Sequence, residues 1–132
     1  MKVLTIINQK GGSGKTTTAV NLSVAHANTD KRVLVIDIDP QAHASIYLGV
    51  DGENAPANMY NVMCGETALE DVVVTTGSGV SVAPSHLILS GAEHELSKHF
   101  AGTTVLRRAV EGRKQKWDLV IIDCPPTLTL LT

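Results

Sequence analysis

The feature that most constrains this chain is a glycine-rich stretch set between two kinds of hydrophobic pattern. Asn8-Gln9-Lys10-Gly11-Gly12-Ser13-Gly14-Lys15-Thr16-Thr17 follows the β-branched run Val3-Leu4-Thr5-Ile6-Ile7 and opens into an amphipathic stretch from residue 15 to about residue 27. A strand, a glycine turn and a helix in that order aim successive backbone N–H groups and the positive end of the helix at one point, the arrangement that cradles phosphate oxygens. Gly11, Gly12 and Gly14 let the backbone close on the ligand, Ser13 and Thr17 complete the cradle, Lys15 reaches the outer phosphates, and the Thr16 hydroxyl is placed to ligate magnesium. Three glycines at fixed places arise by chance about three times in ten thousand starts, so a ligand-free glycine turn is the weaker reading. The strict GxxxxGK[ST] pattern is not met, because Gln9 occupies its first glycine position and an extra lysine, Lys10, stands in the loop.

The rest of the chain repeats the strand-then-helix alternation. Val33-Leu34-Val35-Ile36 and Leu119-Val120-Ile121-Ile122 are continuous apolar runs, as is the first, and such runs mark parallel strands covered on both faces. Val80-Ser81-Val82-Ala83, closed by Pro84, reads as a fourth strand. Helical patterns cover 67–74, with Thr67 and Glu70 at capping-box spacing, 87 to about 100, and 103 to about 112, while 49–56 reads as a loop. The alternation implies right-handed crossovers and a doubly wound, mostly parallel α/β sheet whose ligand site lies beyond the carboxyl ends of the strands. One domain over 1–132 is expected.

Composition removes several alternatives. A formal net charge of -2 predicts no nucleic-acid field over the whole chain, and 3% aromatic residues are too few for a base-stacking platform. No apolar run approaches the roughly 20 residues of a membrane helix, and Met1 leads straight into a strand pattern, so a cytoplasmic protein is expected. Cys64 and Cys124 have no disulfide or zinc spacing. Between residues 33 and 97 there is no Lys or Arg against nine acids, whereas Arg107, Arg108, Arg113, Lys114 and Lys116 crowd together, either as the solvated face of a helix or as an anion or DNA contact.

The loop variant Lys10-Gly11-Gly12-Ser13-Gly14-Lys15-Thr16-Thr17 resembles the deviant Walker A box of the ParA/MinD superfamily of P-loop ATPases. Asp37-Ile38-Asp39-Pro40-Gln41 looks like that family's second acidic motif and Asp123-Cys124-Pro125-Pro126 like its Walker B end, both closer to ParA-type partition proteins than to MinD. The resemblance implies a P-loop NTPase fold with three layers, of which this chain is the N-terminal portion, since Thr132 falls nine residues after Asp123 and family members continue about as long again. It implies ATP and Mg2+ as cofactors and a switch acting in chromosome or plasmid partitioning, in which ATP binding promotes a homodimer and hydrolysis resets it. Lys10 then reaches across to the partner's phosphates; otherwise it is a solvated lysine beside an anion site. A ParB-like adaptor is expected, non-specific DNA in a longer form with nucleoid association, and no membrane, because no C-terminal amphipathic helix is present. A nucleotide-binding module without turnover and a MinD-like positioning ATPase are the alternatives. Ala42-His43 departs from the Gly-Asn common in ParA proteins.

Carboxylates at strand ends take roles from their position. Asp123 is the metal candidate, holding magnesium through water, and Asp39 is placed to orient the attacking water; either one alternatively caps the next helix. Asp37 is expected to support Lys15 or the loop indirectly. Cys124 reads as a small buried hydrophobe. His94 and His99 are five apart, about 140° around a helix, which excludes a zinc-protease pair and leaves surface histidines.

Overall fold

The computed structural model describes residues 1–7, 10, 12, 14–90, 102–112 and 116–126. Along the chain the elements are β1 (Lys2–Ile6), α1 (Lys15–Ala27), β2 (Val33–Asp37), α2 (His43–Tyr47), α3 (Met59–Met63), α4 (Leu69–Val72), β3 (Val74–Thr75), β4 (Ser81–Ala83), α5 (Gly102–Glu111) and β5 (Leu119–Asp123). They form a five-stranded sheet in the order β1-β5-β2-β4-β3, parallel except where β3 runs antiparallel to β4. This is the doubly wound, mostly parallel α/β architecture expected.

Period-two alternation splits the core. Leu34, Ile36, Val120 and Ile122 face one side, where α3, α4 and α5 pack, and Val33, Val35, Leu119 and Ile121 face the other, against α1 and α2. Every residue of β2 and β5 is buried, which is why both read as unbroken apolar runs. Full burial of one such side chain is worth about 1.5–3 kcal/mol. Helix α5 shows the complementary pattern, with Val105, Leu106, Ala109 and Val110 packed inward and Arg107 paired outward with Glu111 at 2.8 Å, so this part of the basic cluster is a solvated helix face. Arg113 and Lys114 lie outside the described residues.

Three expectations need correction. The first strand was expected to be covered on both faces, yet β1 lies at the sheet edge with Val3 44%, Leu4 42% and Ile7 48% exposed, because among the described residues only β5 pairs with it. The helix expected at 67–74 is confined to α4, since the β-branched Val73 leaves helical geometry at ψ 131 and Val74–Thr75 pair with β4 instead. Its capping box is absent: Ala68 is the N-cap and the Thr67 hydroxyl donates to Asp71 at 3.4 Å. A capping box does occur at α3, where Asn58 accepts from Tyr60 N at 2.8 Å and Asn61 accepts from Asn58 N at 3.0 Å. The helix expected from 87 to 100 falls largely on 91–100, outside the described residues, together with His94 and His99; Leu87 and Ile88 form a turn.

Register then assembles the site. Ile6 and Asp37 both align with Asp123, so the carboxyl ends of β1, β5 and β2 stand in one row. The phosphate loop, the Asp123 carboxylate and the 37–41 segment leave the sheet side by side.

Candidate nucleotide-phosphate site

The loop is built by backbone geometry that only glycine adopts without strain. Gly12 has φ 72 and Gly14 φ 85, and a Cβ at either would meet nothing within 4 Å, so the ground above the loop is open to a ligand. Gly14 is the N-cap of α1; no side chain caps it and no acid occupies the first turn, which leaves the positive end of a 13-residue helix facing that space. The Lys15 ammonium donates to the Lys10 carbonyl at 3.2 Å, folding back across the loop it would otherwise extend from. Gly11 and Ser13 lie outside the described residues. Lys10, Gly12, Gly14, Lys15, Thr16 and Thr17 are described, and all of these except Lys10 line an open pocket of about 390 Å3.

Across the pocket stands the end of the sheet. The Thr16 hydroxyl donates to Asp123 Oδ2 at 2.8 Å. Asp123 is fully buried, and its other oxygen, Oδ1, has no hydrogen-bond partner among the described residues. Burial pushes its carboxyl above the usual range, opposed by the Thr16 hydrogen bond and by the charges of Lys15 and His43, and reinforced by Asp39. A buried carboxylate oxygen without a donor, beside a hydroxyl and an ammonium, fits a hard cation such as magnesium, which takes one or two protein oxygens and completes its shell with water and phosphate. Among the described residues no group of three or more His, Cys, Asp or Glu is placed to hold a metal ion.

Asp39 also lines the pocket; one of its oxygens accepts from Gln41 N at 3.0 Å, so it closes a local turn and does not cap a helix. Asp37 was expected to support Lys15 or the loop; its hydrogen bonds among the described residues run to Asp39 and Ser45. Its Oδ1 accepts from Asp39 N at 3.1 Å, and its Oδ2 accepts from Ser45 N at 2.9 Å and Ser45 Oγ at 2.7 Å. Burial pushes this carboxyl up to about 7 against those bonds, with Asp123 adding to the rise. The reason it turns toward α2 is that Ala42, with φ 57, heads that helix without a capping oxygen. Cys124 is buried, its thiol pushed up to about 12 by burial, and it donates weakly to Ile122 O at 3.9 Å; it packs, as expected, and stays neutral.

Sequence reasoning missed His43 and Tyr47. Both line the phosphate pocket, their rings stacked at 6.0 Å with 18° between planes. The signal was their spacing of four, which places them on one helix face, but a helix of five residues is too short to show a period.

A mostly parallel sheet carrying a glycine loop, a lysine at a helix N-terminus and a threonine–aspartate pair across the strand ends is a P-loop nucleotide-binding domain. The whole chain, residues 1–132, matches the AAA domain family. It is 43% identical over 132 residues to the sporulation initiation inhibitor protein Soj of Bacillus subtilis, covering 99% of this chain and 52% of that protein. It is likewise 43% identical over 135 residues to the chromosome partitioning protein ParA of Caulobacter vibrioides, covering 100% of this chain and 51% of that one. Among solved structures it resembles cobyrinic acid a,c-diamide synthase from Mycobacterium smegmatis with bound ATP analog and magnesium, at TM-score 0.96 and 36% identity over 99% of this chain and 54% of that one. The cell division ATPase MinD of Pyrococcus furiosus matches at TM-score 0.81 and 33% identity, covering 98% of this chain and 52% of that one. The chain belongs to the ParA/MinD superfamily of P-loop ATPases, and it spans about half the length of the curated relatives it matches.

Proposed function

We propose that this chain carries the phosphate and magnesium half of an ATP-dependent dimerisation switch that partitions chromosomes or plasmids. The observation that carries the reading is the Thr16–Asp123 hydrogen bond of 2.8 Å, with the orphaned Asp123 Oδ1 beside it and Lys15 in the same pocket. Magnesium, when bound with ATP, supplies charge neutralisation across the phosphates. The residues do the rest. Gly12, Gly14 and the first turn of α1 seat the phosphates, Lys15 exchanges the Lys10 carbonyl for the outer phosphate oxygens, and Thr16 with Asp123 holds the ion. Asp39 orients the attacking water, and Lys10 reaches the phosphates of a second copy, so that dimerisation depends on ATP. Support comes from the ATP analog and magnesium bound by the M. smegmatis relative and from the C. vibrioides relative, a chromosome partitioning protein. An adaptor protein and non-specific DNA are the partners this reading calls for, and it places the protein in the cytoplasm, on the nucleoid. No helix among the described residues is long and apolar enough to cross a membrane.

Nucleotide binding without turnover is the second reading. The test is titration of labelled ATP, with and without magnesium, into wild type and Lys15→Ala. A charge-assisted hydrogen bond contributes about 1.5–3 kcal/mol, so the variant should bind roughly 10- to 100-fold more weakly. Equal affinities would remove the phosphate site from the account. Single-turnover hydrolysis by the same wild-type protein separates the two readings.

A further inference from the structure

Helix α2 is oriented by a residue outside itself. Asp37, Ser45 and Ser85 are each fully buried, and one hydroxyl joins them: Ser45 Oγ donates to Asp37 Oδ2 at 2.7 Å and accepts from Ser85 N at 3.1 Å. The end of β2, helix α2 and the exit from β4 thus meet at a single side chain. The same Asp37 carboxylate accepts from Asp39 N through its other oxygen at 3.1 Å. On a helix that turns about 100° per residue, Ser45 lies roughly opposite His43 and Tyr47, which are two residues to either side. Anchoring Ser45 inward therefore turns His43 and Tyr47 outward together, and both line the phosphate pocket with Asp39.

We propose that Asp37 is a positioning residue of the nucleotide pocket, which through Asp39 N and the Ser45 hydroxyl sets Asp39, His43 and Tyr47 as one rigid group at the end of the pocket that distinguishes ATP from ADP. The inference rests on the phosphate-site reading above. Hydrogen bonds to a carboxylate shielded from water are stronger and more directional than solvated ones, and Ala42, the N-cap of α2, makes no side-chain cap bond of its own, so Asp37 supplies the side-chain anchor at the N-terminus of this short helix. Gly52 reinforces the arrangement from behind, since a Cβ there would run into the Ser85 carbonyl.

The test compares binding of a non-hydrolysable ATP analogue and of ADP, both with magnesium, in wild type, Ser45→Ala, Asp37→Asn and His43→Ala/Tyr47→Ala, alone and combined with Ser45→Ala. Ser45→Ala keeps the carboxylate and its bond from Ser45 N, so the comparison still decides the matter should Asp37→Asn fail to fold. Ser45→Ala should leave ADP affinity within about twofold and weaken the ATP analogue about tenfold, the scale of one hydrogen bond to a charged group. The same change made in the His43→Ala/Tyr47→Ala background should have no further effect on that ratio, because its target side chains are gone. A merely structural serine predicts a lower melting midpoint with an unchanged ratio, and that result overturns the inference. So does a ratio change that adds in full to the double variant's. Wild type that binds neither nucleotide overturns the phosphate-site reading itself, whereas binding with an unchanged ratio overturns this inference alone.

Discussion

Thr16 and Asp123, 107 positions apart, share a hydrogen bond of 2.8 Å that joins the first turn of α1 to the end of β5. That bond satisfies one oxygen of a buried carboxylate and leaves the other for a ligand. Asp123→Asn keeps the shape and removes the charge, so nucleotide affinity in the presence of a chelator should stay within about threefold of wild type. The gain on adding magnesium should fall by about tenfold or more, in line with the 10–100-fold losses seen when groups supporting a metal are removed. Labelled-nucleotide titration with and without magnesium measures both, and an undiminished magnesium effect would contradict the metal role.

Lys10 and Lys15 separate by assay. Lys10 is exposed in a single subunit and its carbonyl already serves Lys15. Lys10→Ala should bind ATP as a monomer with near-normal affinity while losing the ATP-induced dimer and hydrolysis. Light scattering with and without Mg-ATP, on a protein spanning the full length of its relatives, reads the first loss. A variant that dimerises and hydrolyses like wild type would refute the cross-subunit role.

Asp39→Ala should spare binding and lower turnover by about 10²- to 10⁴-fold, the range for removing a group that positions or accepts the attacking water's proton. Single-turnover hydrolysis against equilibrium affinity tests it; a parallel loss of both would make Asp39 a binding residue instead.

Ala42 holds φ 57, a left-handed conformation that costs a residue with a Cβ about 1–2 kcal/mol. Ala42→Gly should raise the urea midpoint, corresponding to a gain of about 0.5–1 kcal/mol after glycine's extra unfolded-state entropy is subtracted. A lowered midpoint would mean that the methyl group packs usefully enough to outweigh the strain.

Asp118 accepts from Arg32 N at 2.8 Å and from Arg32 Nη2 at 3.1 Å, and the Arg32 side chain, first through that hydrogen bonding, holds its carboxyl down to about 2. Because the folded value lies below the unfolded 3.8, the stabilisation is complete above about pH 4 and is lost as pH falls through 2. Urea midpoints of wild type and Asp118→Asn should therefore separate above pH 4 and converge toward pH 2. The pair is exposed, so added salt should narrow the gap.

What could be read from residues alone followed from how many of them report the same fact. β2 and β5 are buried along their whole length, and four consecutive apolar residues in each say so. The phosphate loop combines glycine geometry, charge and a following helix, and Thr16 and Asp123 were each legible as metal candidates, one from the loop and one from its place at a strand end, although the hydrogen bond between them was not. Helices α2 and α3 did not show because five residues complete fewer than two turns, and the capping box of α3 uses two asparagines in place of Ser/Thr with Glu. The partner of Asp37 was missed for a related reason: its target, Ser45, sits on a helix whose existence was not legible. The exposure of β1 was invisible for the opposite cause, since an apolar run looks the same whether or not neighbours cover it.

That exposed strand has a thermodynamic consequence. β1 leads directly into the phosphate loop, so only molecules with β1 docked on β5 present a formed cradle. If that fraction is f, the measured dissociation constant is the intrinsic one divided by f. Any surface that covers Val3, Leu4 and Ile7 raises f and tightens nucleotide binding without touching the pocket. By reciprocity, a bound nucleotide strengthens whatever contact covers β1, by the same factor.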